Sequence, residues 1–345
     1  MVYIIGWLSM FVSAFFVSKK LGRFLSYSVL FYCAFIAFFR ADVGTDTAAY
    51  INIVKMYKDL GVSPFGEIGF EILLKIISFI VADPVFTVKS VSIVFFGLLC
   101  IYLLKSNINE RFFIVAYVLP MFAYAYSMNA LRIGIAAAIF LLITQRINRQ
   151  GFTRRNLLLS LFPAVFHYSA LFYPVVFYTV LNRFLSKKLI SMLSVFLLLI
   201  VFIFIGFSEY FLSKLELYSD YSKPSAFSGL RVVIPLLVVL SGFALGAISW
   251  KYKFKLIVSS FLLIIFSITL VQFSYAGLRF LDLLLLLVPT MVLYQYNKAN
   301  RLFDRSIKLS FLLAAFVFSI GTYIGFLAEY GVGGSPFLPY RTIFN

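Results

Sequence analysis

The sequence predicts an all-helical protein that crosses a membrane many times. Of its 345 residues, 63% are hydrophobic and 12% are charged, and its mean hydropathy is +1.01. Soluble domains contain about 45–50% apolar and about 25% charged residues, so a water-soluble fold is excluded. The apolar residues form continuous runs, whereas the strands of a membrane β-barrel alternate polar and apolar residues over about ten positions. The membrane-spanning elements are therefore expected to be helices.

The apolar runs follow one another along the whole chain, so we expect a single transmembrane domain over residues 1–345. A spanning helix needs about 20 predominantly apolar residues, and on this basis we expect about 11 to 13 transmembrane or re-entrant helices. The runs cover residues 2–17, 24–39, 84–104, 112–126, 133–144, 157–181, 189–207, 232–249, 256–275, 280–296 and 309–327.

The basic residues indicate how the chain is oriented in the bilayer. The formal net charge is +17, and 19 of the 30 Lys and Arg residues lie in six short connections that contain only two acidic residues. The positive-inside rule assigns these connections to the cytoplasmic side, which leaves the N-terminus outside. We therefore expect the bilayer, and no nucleic acid, to be the partner of this charge. The clusters are Lys19, Lys20 and Arg23; Lys105 and Arg111; Arg146, Arg149, Arg154 and Arg155; Arg183, Lys187 and Lys188; Lys251, Lys253 and Lys255; and Lys298, Arg301, Arg305 and Lys308.

This orientation constrains two ambiguous segments. Residues 157–181 lie between two basic clusters, so they are expected to form a short hairpin whose tip lies near His167 on the outer side. Pro163 and Pro174 are compatible with such a broken segment. Residues 66–81 must not cross fully, and the polar stripe that begins at Glu67 suits an interfacial or re-entrant helix.

Metal and disulfide chemistry have little support in this sequence. The two cysteines, Cys33 and Cys100, each lie inside an apolar run, which excludes a disulfide framework and a thiolate metal cluster. The single histidine, His167, excludes a site built from several histidines. No metal is expected.

Unusual polar residues collect on the predicted outer side. Two outer loops, 40–83 and 208–230, are expected to form part of the active-site face. Because a charged side chain at the edge of the hydrocarbon costs a few kcal/mol, arginines followed directly by long apolar runs need an anionic partner or access to the interface. The candidate residues are Arg40, Asp46, Glu67, Asn129, Arg132, His167, Tyr218, Tyr221 and Arg279.

Each candidate also has a purely structural interpretation. Asp46 resembles a helix cap, and Glu67 with Glu71 resembles a solvated helix stripe. A lone histidine such as His167 is more often a packing residue, and tyrosines such as Tyr218 are common in the aromatic belt of membrane proteins. The combination favours function, because guanidinium groups pair with phosphate oxygens and a carboxylate or imidazole beside them accepts a proton from a hydroxyl. The ligand expected from this chemistry is a lipid-linked anion handled outside.

Six short motifs together resemble the EpsG branch of Wzy-type polysaccharide polymerases. They occur in the same order from residue 39 to residue 341, over nearly the whole chain, although none is specific alone. One departure is Ile133, where the family commonly has glutamine. The motifs are Phe39-Arg40 with Gly44-Thr45-Asp46-Thr47 and Tyr50; Glu67-x-Gly69-Phe70; Met128-Asn129-x-x-Arg132; Phe166-His167-Tyr168-Ser169-Ala170-Leu171; Leu278-Arg279-Phe280; and Pro339-Tyr340-Arg341.

This resemblance implies an enzyme with a GT-C-like helical architecture in the bacterial inner membrane. Such polymerases transfer a growing glycan from undecaprenyl diphosphate to a sugar hydroxyl of the next lipid-linked unit, at the periplasmic or outer face. The product implied is an O-antigen, a capsule or an exopolysaccharide. The resemblance further implies that no metal or other cofactor is used and that a flippase and a chain-length regulator are partners.

The resulting hypothesis gives each candidate residue a role. Arg40, Arg132 and Arg279 bind the diphosphate leaving group, and His167, Asp46 and Glu67 form the catalytic set. His167 and Asp46 remain alternatives for the base. Sugar binding is assigned to Asn129, Tyr218 and Tyr221. The alternative functions are an O-antigen ligase and a transporter of lipid-linked sugars; a transporter typically has repeated halves and ionisable groups near the midplane, and no repeat is visible in this sequence.

Overall fold

The computed structural model describes residues 1–60, 67–181, 229–328 and 336–344. Within these ranges every regular element is helical, and the single β-bridge joins Arg40 to Thr342. The prediction of an all-helical protein is confirmed for this part of the chain. The α-helices are α1 (Val2–Phe16), α2 (Lys20–Phe39), α3 (Thr47–Leu60), α4 (Ile68–Ile80), α5 (Pro84–Leu104), α6 (Ile108–Phe113), α7 (Leu119–Met128), α8 (Leu131–Gln150), α9 (Arg154–Ser160), α10 (Pro163–Phe166), α11 (Phe172–Leu181), α12 (Leu230–Leu245), α13 (Trp250–Val271), α14 (Ala276–Lys298) and α15 (Arg305–Ala328).

Seven helical segments in the described ranges are long and apolar enough to cross a membrane. They are α2, α5, α8, α13, α14, α15 and the segment Ile108–Met128, in which a π-helical turn joins α6 to α7. Shorter apolar helices, among them α1 and α12, add to this set. The chain is therefore a membrane protein with several spans, as expected. The span predicted at 189–207 and most of the loop predicted at 208–230 lie outside the described residues.

The centre of the bundle is the segment Ile108–Met128, which is almost completely buried. The hydroxyl of Tyr117 donates to the carbonyl of Leu285 at 2.7 Å and so joins this segment to α14. Helices at the periphery expose large apolar side chains such as Phe31 and Phe266. In a bilayer such side chains face lipid, so the bundle has a packed interior and an apolar rim.

A polar cluster joins three helices at the end of the bundle that carries the basic connections. Asn107 caps α6 by a reciprocal capping box with Glu110, which satisfies two otherwise unpaired N–H groups. Gln145 of α8 donates to Glu110 at 3.0 Å, and the Asn297 amide of α14 donates to the same carboxylate at 3.3 Å. The carboxylate at Glu110 therefore serves as a junction between helix ends.

The segment α9 to α11 forms the hairpin that the charge pattern predicts. α9 begins beside the C-terminal end of α8, where Arg146 donates to Asn156 at 2.9 Å. His167 lies at the opposite end of α8, in the break between α10 and a 3₁₀ turn. α11 then returns, and the rings of Phe152 and Tyr178 lie 4.9 Å apart at the first end. The side of the membrane that each end faces stays a prediction from the charges.

Helix α4 is too short to cross a bilayer. It has 13 residues, against about 20 for a spanning helix. Phe70 and Leu74 are buried on one face, whereas Ile72, Ile76 and Phe79 are exposed on the other. This exposure pattern agrees with the expected interfacial or re-entrant helix. The start of α4 lies at the tip of the hairpin.

Candidate active site

Three side chains from separate segments meet at one end of the bundle. Nδ1 of His167 lies 2.9 Å from Oε1 of Glu67, and Nη1 of Arg132 donates to the other oxygen of the same carboxylate. The side chain of Glu67 is 1% exposed, whereas those of Arg132 and His167 are 20% and 27% exposed. The carboxylate is therefore shielded from a ligand, while the imidazole ring is accessible to one.

Local backbone structure brings Glu67 and His167 together. Glu67 immediately precedes α4 in an extended conformation. Two residues later, a methyl group on Gly69 would lie 2.8 Å from the carbonyl oxygen of Val165, so only glycine lets α4 contact α10 this closely. His167 ends α10, a short helix that begins at Pro163, and adopts an extended conformation there. The motif Glu67-x-Gly69 thus combines the carboxylate with the close contact that places it.

Arg132 is the second residue of α8 and is held from two directions. A methyl group on Gly134 would lie 2.5 Å from the carbonyl oxygen of Tyr126, so the start of α8 packs directly against the end of α7. The hydroxyl of Tyr50 forms a hydrogen bond with Arg132. Tyr50 was not among the predicted site residues, although it follows Asp46 by four residues, which is the spacing of about one helical turn.

Asn129 fixes the loop that carries Asp46. Its Oδ1 accepts hydrogen bonds from the hydroxyl of Thr45 at 2.8 Å and from the backbone N–H of Asp46 at 2.7 Å. Gly44 has φ of 105°, and a methyl group there would lie 2.7 Å from the carbonyl oxygen of Met128. Asn129 is therefore a positioning residue for Asp46, and sugar binding by Asn129 stays a prediction.

Arg279 completes the group and is exposed near the start of α14. Asp46 and His167 both experience its positive charge. A methyl group on Gly277 would lie 2.3 Å from the backbone nitrogen of Val271, so the close packing of α13 against α14 sets the position of this helix end. Of the residues predicted from sequence, the structure thus brings together Asp46, Glu67, Arg132, His167 and Arg279. Asn129 adjoins this group through its hydrogen bond with the backbone of Asp46.

Arg40 is not part of this group, which corrects the expected receptor of three arginines. Its side chain is completely buried, and Nη1 donates to Ser92 at 3.0 Å and to the carbonyl of Ser127 at 3.2 Å. The physical reason is that the chain after α2 pairs with the C-terminal segment, where the N–H of Ala41 donates to the carbonyl of Arg341 at 2.9 Å. This pairing covers Arg40, so the residue contacts the bundle interior instead of the open site.

Burial shifts the pKa values of the two candidate bases, His167 and Asp46, in opposite directions. Burial lowers the pKa of His167 below its ordinary value of 6.5, although the hydrogen bond that His167 donates to Glu67 and the charge of Glu67 oppose the shift. Burial raises the pKa of Asp46 above its ordinary value of 3.8, although Arg279 and Arg132 oppose it. The lowered pKa of His167 favours the neutral imidazole, and the raised pKa of Asp46 favours its protonated form.

The pairing with Glu67 also determines the tautomer of His167. An ionised carboxylate has only acceptor sites, so Nδ1 carries the proton and donates it to Glu67. Arg132 is the counter-ion of this carboxylate. Nε2 then holds a free lone pair on the accessible ring, which is the arrangement required of a general base.

Two predicted sugar ligands, Tyr218 and Tyr221, lie outside the described residues. Across the ranges that the structure describes, no three His, Cys, Asp or Glu side chains come together as metal ligands. Among the described residues, the site combines one imidazole, two carboxylates, two guanidinium groups and a phenol, which belong to His167, Asp46, Glu67, Arg132, Arg279 and Tyr50.

Comparison with known proteins identifies one family. The model of the EpsG family matches residues 22–342, which is nearly the whole chain, and members of this family are similar to Wzy-type polymerases. No curated protein and no solved structure matches the sequence.

Proposed function

The chain belongs to the EpsG family, and from this premise we propose that it polymerises lipid-linked oligosaccharide repeat units as a membrane glycosyltransferase. The observation that carries the proposal is the accessible imidazole of His167, oriented by the buried Glu67–Arg132 pair. We further propose undecaprenyl diphosphate as the lipid carrier, the outer face of the bacterial inner membrane as the location, and a GT-C-like architecture for the complete chain. The product is an O-antigen, a capsule or an exopolysaccharide, made together with a flippase and a chain-length regulator.

In the proposed reaction a sugar hydroxyl of one lipid-linked unit attacks the anomeric carbon of the growing glycan. The new glycosidic bond forms as the bond between that carbon and the diphosphate oxygen breaks. The hydroxyl proton passes to Nε2 of His167 and then to water. Undecaprenyl diphosphate leaves with the negative charge, so cationic groups near the reacting centre lower the barrier.

The residues around His167 have complementary roles in this scheme. Arg279 is exposed and contacts the diphosphate, and Arg132 adds positive charge while it holds Glu67. Asp46 lies within the electrostatic range of both arginines and positions the acceptor hydroxyl. It is the second candidate for the base, because its raised pKa brings its basicity closer to that of an imidazole.

A transporter is less compatible with the distribution of charged residues. Lys89 and Asp282 are the sixth and seventh residues of the spans α5 and α14. At a rise of 1.5 Å per residue they lie about 8–9 Å from the helix starts, well short of the middle. Lys75 belongs to α4, which does not span. The charged residues within these two spans thus lie towards the helix starts, whereas transporters bind their substrates near the midplane of the membrane.

The lipid-linked glycan profile of a deletion strain tests the proposed function. Loss of a polymerase leaves a single repeat unit on the lipid carrier or on the lipid-A core, and the wild-type gene restores long chains. Long polymer retained on its carrier would instead indicate an O-antigen ligase and would reject the polymerase. In the same strain Arg279→Lys should fail to restore long chains at a normal protein level, because lysine lacks the planar fork that pairs with phosphate.

A further inference from the structure

Arg40 is a buried charged side chain that the proposed reaction does not use. It is completely buried, and its Nε and Nη2 have no hydrogen-bond partner within the described part of the chain. In the same ranges the carboxylates that form ion pairs are Glu67 and Glu110, and neither pairs with Arg40. Because a buried charge needs compensation for its lost hydration, the neutral groups around Arg40 must supply it there.

Arg40 lies at the C-terminal ends of two helices. Its Nη1 contacts the carbonyl of Ala37, in the last turn of α2, and donates to the carbonyl of Ser127 at 3.2 Å, in the last turn of α7. The last carbonyls of a helix have no N–H partner within the helix, and the helix dipole makes this end attract cations. The guanidinium group therefore gives partners to both helix ends, and their partial negative charge compensates for its burial.

The end of α7 is held by three other segments. Ser92 of α5 donates to the carbonyl of Ser127 and accepts a hydrogen bond of 3.0 Å from Arg40. The next carbonyl, that of Met128, accepts from the hydroxyl of Thr47 at 3.2 Å, where Thr47 begins α3. The last two carbonyls of α7 are thus fixed by the end of α2, by α5 and by the start of α3.

The residue that follows this helix end holds a loop of the active site. Asn129 comes directly after Met128, and its Oδ1 accepts hydrogen bonds from the hydroxyl of Thr45 and the backbone N–H of Asp46. Arg132 lies three residues further along the chain, in the first turn of α8. A displacement of the end of α7 therefore moves Asn129, and Asp46 with it.

The C-terminal segment encloses Arg40. The N–H of Ala41 donates to the carbonyl of Arg341, and the N–H of Ile343 donates to the carbonyl of Phe39 at 3.1 Å, so the backbone is paired on both sides of the arginine. An enclosed guanidinium group acts on a reaction through the groups that it holds, and those of Arg40 lead to the end of α7.

We infer that Arg40 is a positioning residue, which fixes the end of α7 and thereby holds Asn129 and the loop of Asp46 in place. This inference rests on the proposed function, and it replaces the predicted phosphate-binding role of Arg40. Arg40 and Asn129 then act on the same feature of the site, which is the position of Asp46. Their effects on turnover should therefore not multiply, whereas the effects of independent residues do.

A double-mutant cycle tests this coupling, with kcat measured by polymer formation from a lipid-linked repeat unit in proteoliposomes. Arg40→Met and Asn129→Ala should each lower kcat by about tenfold or more, because small displacements of a positioned group are costly. The double variant should be about as slow as the slower single variant, whereas independent effects of this size would give a loss of about a hundredfold.

Arg111→Met is the matched control. Arg111 is also buried, and it also donates to helix-end carbonyls, those of Val17 and Ser106, but at the opposite end of the bundle. Its replacement should leave kcat nearly unchanged. Arg40→Lys keeps the charge and a donor, so it should retain more of the wild-type rate than Arg40→Met does.

A spin label reports the position of the loop without reference to activity. In a chain without native cysteines, a nitroxide attached to Ala48→Cys lies two residues after Asp46, at an exposed position in the first turn of α3. Arg40→Met should increase the mobility of this label, and Arg111→Met should not. Ser92→Ala keeps Arg40 and removes one of its contacts, so it should give a smaller change in the same direction, and it replaces Arg40→Met in both measurements if that variant accumulates poorly.

The possible outcomes separate the role of Arg40 from the proposed function. Losses that multiply with those of Asn129→Ala, a wild-type kcat in Arg40→Met, or an equal loss in Arg111→Met would each overturn the positioning role. Unchanged label mobility in both Arg40→Met and Ser92→Ala would do the same. A wild-type protein that forms no polymer, although Arg40→Met frees the label, would contradict the proposed function and leave the link between Arg40 and the loop standing.

Discussion

Substitution of Glu67 by glutamine should remove catalysis while it preserves the shape of the site. Glutamine has nearly the same volume as glutamate, but its amide can donate to Nδ1 of His167. The imidazole then changes tautomer and carries its proton on Nε2, so it no longer accepts the proton of the acceptor hydroxyl. The substitution therefore affects the proposed base without touching the substrate.

The size of the effect follows from the step that is lost. General base catalysis contributes about 10²–10⁴-fold to a rate, which corresponds to about 2.7–5.4 kcal/mol of transition-state stabilisation. Removal of one partner from a buried ion pair costs about 3–5 kcal/mol of folding stability. The stability loss should lie at the low end of that range, because the side chain of Arg132 is 20% exposed and water can reach it.

The assay is polymer formation in proteoliposomes that contain the purified variant and a fluorescent lipid-linked repeat unit. Glu67→Gln should lower kcat by about 10²–10⁴-fold, and a higher pH should not restore it, because the defect lies in the tautomer of an already neutral ring. Glu67→Asp keeps the charge and should retain part of the activity. The matched control is Glu71→Gln, one turn later on α4, which should behave as wild type.

Two results would contradict this role of Glu67. The first is a wild-type rate in Glu67→Gln at a normal protein level, which would mean that the tautomer of His167 does not matter. The second is an equal loss in Glu71→Gln, which would indicate a general effect of charge on α4. A melting curve of each variant separates lost chemistry from lost folding.

Three further predictions concern the base, the packing and the topology. Because the pKa of His167 is lowered and its neutral form is active, turnover should hold as the pH falls through 6.5 and decline only at lower pH; a decline that begins above 6.5 would contradict the assignment. Gly69→Ala should lower both the melting temperature and turnover, since the added methyl group meets the backbone of α10 at 2.8 Å and overpacking costs about 1–3 kcal/mol. Gly97→Ala is its control and should not destabilise the protein, because nothing lies within 4 Å of the added methyl group. In a chain without native cysteines, Ala48→Cys should react with an impermeant thiol reagent applied outside and Gln150→Cys should not; the reverse labelling would overturn the topology.

The sequence was sufficient to predict the helical class and most of the segment order. The hairpin around His167 and the non-spanning helix near Glu67 followed from the positions of the basic clusters alone. Because these clusters strongly prefer one side of a membrane, the chain between two of them must cross the membrane an even number of times. The same pattern could not predict helix ends, which depend on local packing: the run predicted to begin at Ile133 begins at Leu131 in the structure, two residues earlier. That difference places Arg132 inside the helix that fixes it.

Site residues were harder to predict, because sequence patterns do not show which side chains are buried. Arg40 and Arg132 both border apolar runs, yet one points into the bundle and the other pairs with Glu67. Glu67 was predicted as a member of the catalytic set, and the structure places its carboxylate in a buried position beside His167.

The central claim is that this chain forms glycosidic bonds through a histidine oriented by Glu67. The most direct test combines the purified protein with one lipid-linked repeat unit in proteoliposomes and measures both the polymer ladder and released undecaprenyl diphosphate. We expect a ladder with equimolar release per bond for the wild type, almost none for His167→Gln, and measurable turnover for Asp46→Asn. A normal ladder from His167→Gln with none from Asp46→Asn would assign the base to Asp46, and the absence of any ladder from the wild type would contradict the proposed polymerase activity.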